Sequence, residues 1–101
     1  DAHVAAQREV YRRRRDVLLP ALRSYGLEVD GSHAGLYLWS RPAGAAPGDP
    51  VAWETVDALA GLGILVAPGT FYGSAGAAHV RVALTATDER IDEAAARLIS
   101  G

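Results

Sequence analysis

The run His79-Val80-Arg81-Val82-Ala83-Leu84 alternates so that Val80, Val82 and Leu84 fall on one face of a strand and His79, Arg81 and Ala83 on the other. A guanidinium in mid-strand on that second face has two readings. It is an ordinary surface charge, or it is a planar, permanently charged fork that holds a carboxylate through two parallel hydrogen bonds. The alternation alone leaves both open. Just upstream, Ala67 to Ala78 carries Gly69, Gly73 and Gly76 with Pro68, Phe71 and Tyr72. That composition describes an ordered loop with two large side chains to place.

Other chemistry is narrowed by what the sequence lacks. All ten basic residues are arginines and none is lysine, so no side chain of this chain can form a Schiff base. There is no cysteine, which removes disulfides and thiolate metal sites and is compatible with a reducing compartment. No serine stands in a Gly-x-Ser-x-Gly elbow, and no two acids have a spacing that suggests a general acid and base. His3, His33 and His79 include no i, i+4 pair that would put two imidazoles on one helical face, so no metal site is expected. The glycine-rich loop lacks the lysine and hydroxyl of a phosphate-binding loop and leads into a strand instead of a helix. No catalytic residue is assigned to this chain.

The basic run Arg12-Arg13-Arg14-Arg15 invites a nucleic-acid reading. Four consecutive helical residues point nearly all the way around the axis, however, and cannot form one binding face. With a net charge of −2 the chain has no general attraction for polyanions, and a solvated or domain-contacting helix is the expectation.

The elements that must position Arg81 follow from periodicity. Asp1 to about Tyr25 reads as one bent helix, with Val4, Tyr11, Leu18, Leu22 and Tyr25 along one face, Pro20 inside it and Gly26 as the stop. A turn is expected at Asp30-Gly31-Ser32, then a buried strand over Gly35 to Trp39, then a loop from Arg41 to Pro50. A second helix starts near Pro50, with Ala52, Val56 and Leu59 on its stripe and Gly61 and Gly63 at its end. Ile64-Leu65-Val66 reads as a strand, the alternating run as another, and a last helix opens on Thr87 with Ile91, Ala95, Leu98 and Ile99 inward. This order predicts an α+β two-layer sandwich, a small, mainly antiparallel sheet covered by helices on one face. The other sheet face is left to be explained.

With 101 residues, half of them hydrophobic, the chain has room for one domain with a real core and for no second catalytic domain. No apolar run approaches the roughly 20 residues that cross a bilayer, and the expectation is a soluble, cytoplasmic protein. The sequence neither begins with methionine nor contains one, so it is expected to be a piece of something longer.

Three stretches carry a family resemblance. The first is Tyr11-Arg12-Arg13-Arg14-Arg15-Asp16 in the long helix. The second is the glycine-led run Ala34-Gly35-Leu36-Tyr37-Leu38-Trp39. The third and most specific is Ala67-Pro68-Gly69-Thr70-Phe71-Tyr72-Gly73 followed by His79-Val80-Arg81-Val82-Ala83-Leu84. With these, the chain resembles, over essentially its whole length, the C-terminal small domain of class I and II aminotransferases, which are fold-type I enzymes dependent on pyridoxal phosphate. The loop at Phe71-Tyr72-Gly73 and the stretch Thr85-Ala86-Thr87-Asp88-Glu89 are most similar to N-succinyldiaminopimelate aminotransferases.

The resemblance implies that Arg81 binds the substrate α-carboxylate and that Phe71 and Tyr72 lie in a loop that shields the pocket when the domain closes. It implies that residues 1–25 form the helix linking this domain to a large cofactor-binding domain, toward which the uncovered sheet face is turned. The parent would be a homodimeric aminotransferase that exchanges an amino group between N-succinyl-L,L-2,6-diaminopimelate or glutamate and the matching oxo acids in lysine biosynthesis. Its pyridoxal phosphate and Schiff-base lysine would lie in the large domain, so this chain should be inactive alone and bind no cofactor itself. Ser32-His33 stand where the family often has a proline before the glycine-led strand. The alternatives are a stand-alone ferredoxin-like ligand-binding or regulatory module and an RNA-binding sandwich.

Overall fold

A computed structural model of the protein describes residues 2–33, 35–46 and 48–101. Asp1 at the start of the expected first helix, Ala34 of the glycine-led run and Pro47 of the expected loop lie outside the described residues.

The first helix, α1, runs from Ala2 to Tyr25 with Pro20 inside it. It remains one element although Pro20 cannot donate to the carbonyl four residues back. Leu18, Ala21 and Leu22 are buried, whereas Val4, expected on the same stripe, is exposed. Full burial is confined to the C-terminal half, while Tyr11 packs partly buried against the same core. Gly26 ends α1 at a φ of 111°, a conformation that a residue with a Cβ rarely adopts.

Next comes a strand hairpin, and the observed boundaries differ from those expected. Strand β1 spans Leu27–His33 and pairs antiparallel with β2, Tyr37–Pro42. Asp30-Gly31-Ser32, read from its turn-forming residues as a turn, is therefore part of a strand. Its register breaks between Val29 and Gly31, so a bulge absorbs the turn-forming residues within the ladder. The hairpin turn falls three to four residues later, where Gly35 takes a φ of 71°. Strand β2 correspondingly begins at Tyr37 and carries Arg41 and Pro42, which were expected in the loop.

Helix α2, Ala52–Gly61, buries Ala52, Thr55 and Leu59. Ile64-Leu65-Val66 is not a strand. Gly63 turns at a φ of 78° and the Ile64 amide bonds back to Leu59 O at 2.9 Å, which holds the chain off any neighbouring strand and leaves Leu65 87% exposed. Pairing starts only at β3, Ala67–Pro68, which lies against β4, Val80–Ala83. Thr87 caps the last helix, α3 (Asp88–Ser100), by accepting a hydrogen bond from the Arg90 amide at 3.3 Å. Ile99 is exposed because Leu98 takes the inward position one residue earlier.

The sheet order is β1-β2-β4-β3, antiparallel throughout. Leu38, Val80, Val82 and Leu84 join Leu18 and Leu22 of α1, Leu59 of α2 and Ile91 and Leu98 of α3 in one core cluster. The expected α+β two-layer sandwich is the observed fold, with one strand more than the sequence suggested. The order α1 to β1, β2, α2, β3, β4 and α3 also differs from the βαββαβ order of a ferredoxin-like module.

The arginine run diverges as helical geometry requires. Arg12 pairs with Glu9 and Asp16 on α1 itself, while Arg13 and Arg14 reach Asp88 at the start of α3. Arg14 holds Asp88 Oδ1 at 2.7 Å and also donates to Leu84 O at 3.0 Å. Its hydrogen bond holds the Asp88 carboxyl below the ordinary carboxylate range. A carboxyl depressed on folding stabilises the fold above its unfolded pKa, and that contribution is lost as pH falls through the folded value. Asp88→Asn should therefore lower the unfolding temperature at neutral pH, and the difference from the natural protein should vanish in acid below the carboxylate range; thermal scans of both across pH check this.

Candidate functional site

Residues on the sheet face away from the helices are placed by register. Gly31, Trp39, Arg81 and Ala67 form one row across all four strands, since Gly31 pairs with Trp39, Trp39 with Arg81 and Ala67 with Arg81. In the adjacent row Tyr37 pairs with Ala83. Arg81 thus has an alanine at the paired position of β3 and another two residues on, which leaves its side chain room above the sheet.

Two aromatic rings hold the guanidinium. Its central carbon stands 4.0 Å from the ring centroid of Tyr37, the diagonal cross-strand neighbour, and 4.7 Å from that of Tyr72. Both distances fall within the range in which a cation is attracted to a ring face. Among the described residues no carboxylate pairs with Arg81. A half-buried arginine steadied by rings and without an acid keeps its fork of donors available to an anion.

Tyr72 comes from the loop that the sequence singled out. After Pro68, a 3₁₀ turn over Gly69–Tyr72 presents Phe71 and Tyr72, both exposed. Tyr72 meets Trp39 edge to face at 6.1 Å, and Phe71 meets Trp53 of α2 in the same way at 6.0 Å. Of the two aromatics, Tyr72 thus packs beside Arg81 and Phe71 packs against α2. Gly31, Ser32, Trp39, Tyr72 and Arg81 line a cleft of about 360 Å³. Trp53, Leu65, Phe71 and Arg81 contribute to a second, more open groove of about 400 Å³ that also touches Tyr37.

Beneath Trp39 lies a polar group that the sequence reading did not find. His79 stacks on the indole with centroids 4.7 Å apart and planes 10° from parallel. It is buried, and its Nε2 is 2.7 Å from Asp30 Oδ2. An ionised carboxylate only accepts, so Nε2 carries the proton. Arg41 grips the same carboxylate with two nitrogens, at 2.8 and 3.3 Å, and also donates to Ala45 O at 3.0 Å. Burial works against the charged form of Asp30, but the hydrogen bonds from His79 and Arg41 outweigh it and hold the carboxyl below its ordinary range. The alternation of His79 with Arg81 carried half of this signal. The other half was hidden because Asp30 reads as a turn residue until β1 is known to be a strand.

His3 is on the exposed start of α1, and the side chain of His33 lies outside the described residues. Among the described residues no three His, Cys, Asp or Glu side chains converge on a metal-sized site, and no helix is long and apolar enough to cross a membrane. The RNA-binding alternative asks for free basic residues beside the aromatics of this face. Arg41, the other arginine of β2 or β4, is committed to Asp30.

The loop is tied down by close backbone approach. Gly69 N donates to His79 O at 2.6 Å, and a Cβ on Gly69 would lie 2.8 Å from both that oxygen and the edge of Trp39. Gly69→Ala should push the turn off β4 and cost about 1–3 kcal/mol of stability, readable as a lowered urea midpoint; an unchanged midpoint would show that the turn is not seated against Trp39.

Comparison with known proteins adds a family to this geometry. Residues 1–98 match the family model for aminotransferases of class I and II. A probable aminotransferase of Mycobacterium tuberculosis is 59% identical over 98 residues, covering 97% of this chain and 22% of its own length. The 4-dedimethylamino-4-oxo-anhydrotetracycline transaminase of Streptomyces rimosus is 56% identical over 98 residues, with 97% and 26% covered. Among solved structures, N-succinyldiaminopimelate aminotransferase from M. tuberculosis superposes with a TM-score of 0.77 at 29% identity, over 99% of this chain and 27% of that one. The chain thus spans about a quarter of the length of the relatives it matches.

Proposed function

The chain belongs to the class I and II aminotransferase family, and we propose that it is the small C-terminal domain of such an enzyme, with Arg81 as the fork that binds the substrate α-carboxylate. The observation that carries this reading is the state of Arg81: held between Tyr37 and Tyr72 above the open sheet face, with no acid paired to it among the described residues. A bidentate carboxylate would complete its hydrogen bonds. Phe71 and Tyr72, exposed on the turn before β4, are the residues that would cover a bound substrate and exclude water.

Family membership implies pyridoxal phosphate in the parent enzyme. This chain has no lysine and cannot hold that cofactor as a Schiff base, so its own residues bind and orient the substrate while the cofactor belongs to the remainder of the parent, its large domain. Fixing the carboxylate fixes the rotation of the substrate about its α-carbon, which is a positional contribution to the reaction. The first 25 residues serve in this reading as the linking helix, and the parent acts as a cytoplasmic homodimer.

For the substrate we favour N-succinyl-L,L-2,6-diaminopimelate with glutamate as the amino-group partner, supported by the likeness to the mycobacterial enzyme of that name. A second reading has its own support. The 56% identical Streptomyces relative is named for a polycyclic ketone, and the groove beside Arg81 is walled by Trp53, Leu65 and Phe71, side chains suited to a large apolar substrate.

Transamination by the full-length enzyme, assayed with both substrate types, tests the choice. Arg81→Ala should lower kcat/KM for an α-amino acid by about two to four orders of magnitude, the consequence of leaving a desolvated carboxylate without its partner at about 3–5 kcal/mol. A substrate without an α-carboxylate should lose little. Equal rates for natural enzyme and variant with the amino acid would remove Arg81 from this role.

A further inference from the structure

We infer that His79 and Asp30 are positioning residues for the carboxylate fork, acting through Trp39 and Tyr72; this rests on the reading of Arg81 given above. The contacts form one chain. Asp30, clamped by Arg41, accepts from His79 Nε2 at 2.7 Å. The imidazole lies flat beneath Trp39. Trp39 stands opposite Arg81 in the ladder and meets the ring of Tyr72 edge to face, and Tyr72 is one of the two rings that hold the guanidinium.

Simple space filling does not account for this choice of residues. A phenylalanine at position 79 would make an equal plate under Trp39 without burying polar atoms. His79 instead is 5% exposed, and its Nδ1 is buried with no hydrogen-bond partner among the described residues, an arrangement that costs stability. What the imidazole adds is the Nε2 bond, which fixes the rotation of the ring about its own side-chain axis. A ring free to rotate would let the indole above it tilt, and the tilt would reach Tyr72.

The location of Asp30 points the same way. It is at the β1 bulge, next to Gly31 and Ser32, which line the cleft shared with Trp39, Tyr72 and Arg81. Bulges re-aim side chains and are common beside binding sites. The carboxylate itself is turned to His79 and Arg41 instead of Arg81, so it orients the site without occupying the fork that a substrate carboxylate needs.

The test uses the full-length, cofactor-loaded enzyme and its single-turnover reaction with L-glutamate, followed through the cofactor's absorbance, together with thermal unfolding. His79→Phe keeps the plate and loses the hydrogen bond; Asp30→Asn weakens the same bond at a residue near the surface. Both should raise the apparent dissociation constant for glutamate about tenfold, the size of coupling found within one contact network, with the limiting rate changed by less than about twofold. His79→Gln, whose amide nitrogen reaches about as far as Nε2, should recover most of the loss.

A purely structural role would lower the unfolding temperature and leave the dissociation constant unchanged. That result in His79→Phe and Asp30→Asn, alongside a large rise in Arg81→Ala, overturns this inference alone. An unchanged constant in Arg81→Ala overturns the reading of Arg81 itself. If His79→Phe does not fold, Asp30→Asn decides the matter.

Discussion

The two faces of this sheet are set by the register of β4 against β2. Val80 and Val82 face the helices and Arg81 faces away because Trp39 is paired with Arg81 and Leu38 with Val82. Side chains alternate with a period of two, so a slip by one residue would drive the guanidinium into a core of leucines and valines and turn two valines into solvent. Burial of Leu38, Val80, Val82 and Leu84 in one cluster with all three helices therefore specifies the position of Arg81. The core and the candidate site are two consequences of one pairing.

That pairing also decides what surrounds the arginine. Ala67 across the ladder and Ala83 two residues on are small, and Tyr37 is on the diagonal. The cation–π contacts that result are each worth about 0.5–1 kcal/mol at an exposed site and more as water is excluded. They do not saturate the five N–H donors of the guanidinium. Ring contacts thus restrain the direction of the fork without consuming its hydrogen bonds.

Much of this was legible in the sequence because it depends on local periodicity. The alternation over His79 to Leu84 placed Arg81 on the sheet face opposite Val80 and Val82, and the proline and glycines of the loop before that strand marked Phe71 and Tyr72 as large side chains of an ordered loop, where the turn presents them. The strand β1 was not legible, since Asp30, Gly31 and Ser32 have turn chemistry and only pairing with β2, with its bulge, makes them extended. Ile64 to Val66 failed in the opposite sense: three apolar residues have strand propensity, but Gly63 and the bond from Ile64 back to Leu59 deny them a partner strand. The first error is non-local pairing overriding local preference; the second is a turn at the end of α2 holding a segment of strand propensity away from any partner. The contact of His79 with Asp30, 49 residues apart, could not be read before β1 was known to exist.

The same distance in sequence explains how charge is distributed around the site. Asp30 is close to the face that carries Arg81, and a carboxylate free to reach that fork would compete with any incoming anion. Arg41 and His79 prevent this by engaging both oxygens of Asp30 and, despite its partial burial, keeping it ionised. An acid so occupied is compatible with an available arginine nearby, whereas an unoccupied one would neutralise it. The fold therefore separates two arginines of β2 and β4 by partner: Arg41 is bound within the chain, and Arg81 is held by rings. That division follows from where the ladder of β1 with β2 breaks register, and it gives the bulge at Asp30 a consequence beyond its own strand.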